Sequence, residues 1–170
     1  MSIATRMITM SVAGAIALAP AGCGAAANPG PTRAQYVTKA NAICAAAATQ
    51  IVPLVKRIKT EGATLVAGGA ATPQRLAGDL RQLHTAAAGD LAQLRGLKQP
   101  KADHAAIGRF LTPLSSFVDA IDKAAGLVAS GDLPQALALL GQTATVEQQA
   151  AQNAHAYGLL RCEALLPSLT

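Results

Sequence analysis

Residues 101–129, KADHAAIGRFLTPLSSFVDAIDKAAGLVA, carry the clearest fold signal in the chain. Their large apolar residues recur at steps of three and four, the spacing that places side chains on one face of an α-helix. That face comprises Ile107, Phe110, Leu111, Leu114, Phe117, Val118, Ile121 and Val128. We therefore predict a core-facing helix that begins near residues 101–103, and Pro113 predicts a kink inside it.

A similar periodicity predicts a helix earlier in the chain. It is expected to begin near Arg33, where Thr32 can cap it, and Pro53 predicts a kink or a break near Gln50. Its apolar positions are Ala40, Cys44, Ala47, Ile51, Leu54 and Ile58. Residues 62–71, which include two adjacent glycines, predict the loop that follows.

Two further helices complete the pattern. Thr72 and Pro73 form a start signal for the second helix of the chain, which Pro100 ends. Its apolar face is Leu76, Leu80, Leu83, Ala87, Leu91, Leu94 and Leu97. Asp132 can cap a last long helix, and Gly158 can stop it. The face expected to be buried there is Leu137, Leu140, Ala144, Ala151 and Ala154.

Four helices joined by short connections predict an all-α fold, an antiparallel up-down-up-down four-helix bundle. The composition agrees, because 51% of the 170 residues are hydrophobic, only 2% are aromatic, and no alternating runs typical of strands occur. The formal net charge is +5, without a basic stripe interleaved with aromatic residues. Nucleic acid is therefore not an expected partner.

The N-terminus predicts export. Arg6 precedes an uncharged apolar run, residues 7–19, that is too short to span a bilayer, as in a secretory signal peptide. The sequence Ala21-Gly22-Cys23 follows, with the small residues that precede the acylated cysteine of bacterial lipoproteins, although Pro20 stands where leucine is usual. Cleavage by an ordinary signal peptidase at residues 19–21 or 25–27 is the alternative.

These features divide the chain into three parts. We expect a signal peptide at 1–22, a flexible tether at 23–32 and the helical bundle domain at 33–170, with Cys23 as the lipid attachment site. The protein is then extracytoplasmic. It lies at the outer face of the cell membrane if Cys23 is lipidated, and it is secreted otherwise.

The chain has three cysteines, and lipidation or removal of Cys23 leaves Cys44 and Cys162. An up-down topology brings the start of the first helix and the end of the last to the same end of the bundle. This geometry allows a disulfide, and an oxidising compartment lets it persist. A pair of redox-active or metal-binding thiols is the alternative, although no Cys-x-x-Cys spacing is present.

Two segments carry a resemblance to a known group of proteins. YVTKANAIC at residues 36–44, together with YGLLRC at 157–162, resembles a pattern of small exported helical proteins and lipoproteins of actinobacteria, of the mycobacterial type. The resemblance implies a bundle closed by a Cys44–Cys162 disulfide. It implies no activity.

Motifs for catalysis are absent from the sequence: it has no phosphate-binding glycine loop, nucleophile elbow or zinc-protease helix. His84, His104 and His155 are scattered, and a weak metal site of His104 and His155 with Asp103 is less expected than chance surface placement. Asp119 and Asp122 are three residues apart but lack a Glu-x-x-His partner. We expect no enzyme, no cofactor and no metal.

Two binding functions remain. The first is a non-enzymatic interaction module, anchored in the membrane or secreted, that engages another envelope protein or the cell wall. The second is a binder or carrier of a small apolar ligand in the bundle interior, where helices kinked at Pro53 and Pro113 diverge. An enclosed cavity of about 300 Å³ or more would favour the second, and a filled core would exclude it.

Overall fold

The structure is a computed structural model that describes residues 30–166. The predicted signal peptide, Cys23 and most of the predicted tether lie outside the described residues, so these assignments stay predictions. The described part contains five α-helices and no strand, which confirms the all-α class. The helices are α1 (Arg33–Val66), α2 (Pro73–Gly96), α3 (His104–Ala129), α4 (Leu133–Tyr157) and α5 (Leu160–Leu165), with a 3-10 turn at Lys101–Asp103.

The helix starts follow the predicted capping signals. Thr32 accepts a hydrogen bond from the backbone N–H of Gln35, whose side chain accepts one from the backbone N–H of Thr32, so α1 opens with a reciprocal capping box. Thr72 caps α2 and Asp132 caps α4 through the same type of backbone hydrogen bond. The predicted helix starts are therefore confirmed.

Short connections make successive helices antiparallel, so the bundle has two ends. We call the end that holds the start of α1 and the end of α4 the disulfide end, and the opposite one the far end. Buried side chains form one cluster at the disulfide end, around Tyr36 and Phe110, and a second toward the far end, around Leu80 and Ile121. The predicted apolar faces of α1, α2 and α3 supply most of both clusters.

Two predictions about the long helices are corrected, the loop after α1 and the buried face of α4, and of the two alternatives at Pro53 the break does not occur. Helix α1 continues through Pro53 without a break and extends to Val66, so the predicted loop at 62–71 begins later, at residue 67. The buried face of α4 is rotated by about one residue, because its central positions are Thr143 and Glu147. Leu137 and Ala144, which we expected to be buried, are exposed instead.

The chain reverses at Gly158 and returns as α5 along α1. Gly158 has φ +92°, a left-handed conformation in which a side chain would be strained, so glycine suits this stop. Cys162 on α5 is bonded to Cys44 on α1, with their Cα atoms 4.9 Å apart, which confirms the expected disulfide. The bond fixes the C-terminal helix against the first helix of the bundle.

Removing this bond should destabilise the fold strongly. The two cysteines are 118 residues apart in sequence, and opening so long a loop costs up to about 4–5 kcal/mol in the chain-entropy view. We expect the Cys44→Ala/Cys162→Ala double variant to lose about 2–5 kcal/mol in urea unfolding. Reductant should lower the stability of the wild type and leave that of the variant unchanged; equal stability of both proteins without reductant would contradict a structural role.

Candidate functional site

The residues that the sequence suggested for chemistry do not converge. His155 Nδ1 lies 2.9 Å from Glu163 Oε2, whereas His84 Nδ1 lies 4.0 Å from Asp122 Oδ1 in the other half of the bundle. Asp103 accepts a hydrogen bond of 2.8 Å from the hydroxyl of Tyr157. Within residues 30–166, no three His, Cys, Asp or Glu side chains are grouped in a way that could hold a metal ion.

The candidate site lies instead where the bundle is incomplete. Helix α1 packs against α2, α2 against α3, and α3 against α4, but α1 and α4 are not packed directly along their lengths. At the disulfide end, α5 contacts both helices and fills the space between them. Toward the far end this seam is open, since α5 is only six residues long.

Polar contacts hold the closed part of the seam together. Arg33 lies over the ring of Tyr157, 4.4 Å from its centroid, and donates a hydrogen bond of 3.1 Å to the Tyr157 carbonyl. Asn41 donates from its side-chain amide to the carbonyl of Gly158 and accepts from the backbone N–H of Arg161. These contacts anchor the turn between α4 and α5 on α1.

The open part of the seam is an apolar cavity of about 750 Å³. Its floor is the side chains of α2 and α3, and its two walls are the far half of α1 and the first half of α4. The residues that line these surfaces include Val55, Ile58, Gly62, Val66, Leu76, Leu80, Phe117, Ile121, Leu133, Leu137, Leu140, Gly141 and Ala144. A cavity of this volume is within the range of small-molecule sites.

The cavity explains why Leu137 and Ala144, in the first half of the predicted α4 face, are not buried, whereas Ala154 near the end of α4 is buried. Leu137 is 51% exposed, and Val66 on the opposite wall is 65% exposed, so two large apolar side chains flank the opening. Apolar residues whose periodicity predicted a core contact therefore line a space that no described residue fills. We call this space, together with Val66 and Leu137 at its opening, the α1–α4 cavity.

A second, smaller space lies deeper in the bundle. It measures about 40 Å³ and includes Cys44, Phe110 and Cys162 in its lining. Leu83, Phe117 and Ile121 line both spaces and therefore form the partition between them.

One buried carboxyl accompanies the cavity. Glu147 on α4 is only 3% exposed, and neither of its carboxyl oxygens has a hydrogen-bond partner among the described residues. Burial raises the pKa of the Glu147 carboxyl to about 7, and the positive charge of Lys59 on α1 opposes this rise. Lys59 itself lines the cavity, where it is the single charged lining residue within the described chain.

The carboxyl of Asp79 provides a contrast, because it is buried with hydrogen-bond partners. Asp79 on α2 is also buried, but it receives two hydrogen bonds from Arg57 on α1, of which the bond from Nε measures 2.7 Å. The Arg57 guanidinium therefore holds the pKa of Asp79 below its usual range. Glu147 has no such partner in residues 30–166, so its burial needs another explanation.

Comparisons with protein-family models, with curated proteins and with solved structures found no match. None of the described helices is both long enough and apolar enough to cross a membrane. The assignment of a site therefore depends on the geometry of this chain.

The unpaired carboxyl predicts an unusual dependence of stability on pH. Since the pKa of Glu147 is about 7 in the fold and about 4.5 in an unfolded chain, the wild type loses stability as pH rises from about 4.5 to above 7. Glu147→Gln cannot ionise, so it should be more stable than the wild type at pH 8 by roughly 2–4 kcal/mol and nearly equal at pH 4.

Urea unfolding of both proteins at the two pH values measures this difference. Asp119→Asn, which changes an exposed carboxyl on α3, is the matched control and should show no comparable change. A stability difference that is the same at pH 4 and pH 8 would show that Glu147 is not a strained buried acid.

Proposed function

We propose that the protein is a non-enzymatic binding protein that holds the hydrocarbon chain of a small amphiphile in the α1–α4 cavity. The observation that carries the proposal is the cavity itself, about 750 Å³ with almost wholly apolar walls. Its volume exceeds the roughly 300 Å³ expected of a ligand site, and the space is open along the α1–α4 seam rather than enclosed. An elongated chain suits it because two antiparallel helices bound the space along their length.

The energetics of the walls support an apolar ligand. Each buried methylene group contributes about 0.8 kcal/mol to binding, which is close to a fourfold gain in affinity. Side chains such as Val66 and Leu137 are exposed when the cavity holds no ligand, so a bound chain removes their apolar surface from water as well as its own. Affinity should therefore rise with chain length until the cavity is full.

We further propose that the domain works outside the cytoplasm, tethered through Cys23 or secreted. The disulfide is compatible with an oxidising compartment, and the predicted signal peptide supplies the route. Helix α1 begins at the disulfide end, whereas the cavity lies toward the far end. A tether at Arg33 would thus leave the cavity accessible from the side away from the attachment point.

An interaction module for another envelope protein is the second candidate. The exposed apolar pair Val66 and Leu137 favours it, since such residues also occur at protein interfaces. The two functions use different parts of the cavity. A protein interface would contact the residues at its rim, whereas a hydrocarbon chain would occupy its interior.

Filling the interior separates them. Gly141 lines the cavity, and a Cβ added there meets no atom within 4 Å, so Gly141→Leu should fold and project into the space. We expect Gly141→Leu to lower the affinity for dodecanol at least tenfold, as measured by displacement of the fluorescent probe N-phenylnaphthylamine. Gly89→Leu on α2 is the matched control, since Gly89 is exposed, equally open around its Cβ and remote from the cavity.

Dodecanol that binds Gly141→Leu as tightly as it binds the wild type would refute a ligand in the α1–α4 cavity. Both substitutions replace a helical glycine by leucine and therefore raise helix propensity to a similar extent. The unfolding free energies of the two variants should increase by similar amounts.

The anchor is tested separately. Cys23→Ala in the full chain should release the protein from sedimented membranes into the soluble fraction, because one acyl-bearing residue is then lost. Wild-type protein should remain with the membranes and should enter the detergent phase in a detergent partitioning experiment. A variant that still sediments with membranes would exclude Cys23 as the anchor without touching the cavity proposal.

A further inference from the structure

The α1–α4 cavity has one feature that an apolar chain alone does not explain, the carboxyl of Glu147. Glu147 is only 3% exposed, and neither of its carboxyl oxygens has a hydrogen-bond partner in the described chain. A buried acceptor without a donor destabilises the fold, and it does so more strongly when it is charged.

Glu147 is not itself one of the residues that line the cavity, but it lies on α4 one turn beyond two of them. Thr143 and Ala144 line the cavity, and Glu147 follows them by four and three residues, which places all three on one side of the helix. Side chains of an α-helix lean toward its N-terminus, so the Glu147 side chain leans over the turn that holds Thr143 and Ala144. Lys59, whose charge reaches Glu147, lines the cavity from the α1 side.

We propose that Glu147 recognises the head group of the ligand, accepting a hydrogen bond from an amphiphile whose head is a donor, and most strongly from a primary ammonium. This inference rests on the proposed function, because it assigns the polar end of the same chain-shaped ligand. A head group that enters beside Thr143 satisfies the carboxyl after a rotamer change, a common adjustment on binding. An ammonium also neutralises the buried charge, whereas a carboxylate head would repel it.

Lys59 has the opposite preference, so the two residues make distinguishable predictions. It is exposed and lies on the α1 wall, where it would attract an anionic head group held near the opening. Because exposed charges interact weakly in water while buried ones interact strongly, we expect Glu147 to dominate the selectivity.

Three probes of equal chain length test the assignment, namely dodecylammonium, dodecanol and dodecanoate, each below its micelle concentration. At pH 8 the wild type should bind dodecylammonium at least tenfold more tightly than dodecanoate, measured by displacement of N-phenylnaphthylamine. Glu147→Gln should reduce that ratio to about threefold or less while changing dodecanol affinity little, since the amide oxygen still accepts a hydrogen bond. Lys59→Met should keep the ammonium preference or increase it.

The wild type alone gives a second readout. Since the pKa of Glu147 is about 7, its carboxyl is neutral at pH 5, and the ratio of ammonium to alcohol affinity should fall by severalfold between pH 8 and pH 5.

The outcomes separate this inference from the proposed function. Equal affinities for all three probes would overturn the role of Glu147 and leave the apolar site standing. Tighter binding of dodecanoate, abolished in Lys59→Met, would also overturn it and make Lys59 the head-group residue. If none of the probes binds, both the proposed function and this inference fail.

Discussion

The Cys44–Cys162 bond is the constraint on which the rest of the architecture depends. It holds α5 against α1 at the disulfide end, where α5 also contacts α4. Two helices that pack directly have axes about 8–10 Å apart, and a third helix between them prevents that approach. Because α5 ends after six residues, the separation that it imposes continues beyond it as open space. The α1–α4 cavity is in this sense a consequence of the disulfide.

The two halves of the seam are stabilised by different interactions. At the disulfide end, Arg33 and Asn41 bind backbone carbonyls and the ring of Tyr157, so polar contacts reinforce the covalent bond. In the other half, the Arg57–Asp79 pair joins α1 to α2, whereas no hydrogen bond or salt bridge joins α1 to α4 there in the described chain. Beyond the end of α5, α1 rests on α2 and α4 rests on α3, without direct packing between the two walls. Such a wall can adjust to a ligand more readily than the fixed end can.

The sequence predicted what local physics determines and missed what tertiary packing determines. Thr32, Asp132 and Gly158 act at helix ends through their own backbone neighbourhood, so their roles could be predicted. The buried face of α4 could not, because hydrophobic periodicity assigns Leu137 to the core and gives no signal for Glu147, whereas Leu137 is exposed and Glu147 is buried in the structure. Helix α5 is too short for a periodic signal, and its position follows from the disulfide. Both misses concern the same seam, which is the candidate site.

The buried carboxyl of Glu147 offers a physical reason why both mispredicted features lie at the same seam. If α4 served only to pack, leucine or alanine at position 147 would avoid the desolvation that raises the pKa of Glu147. The alternative device in this chain, pairing a buried acid with arginine as Asp79 is paired with Arg57, was not used there. Local rules of packing and polar satisfaction are typically broken at functional sites. The unpaired acid lies one turn beyond the last α4 residues that line the unfilled space, and the proposed ligand, with a hydrocarbon chain and a donor head group, would satisfy both.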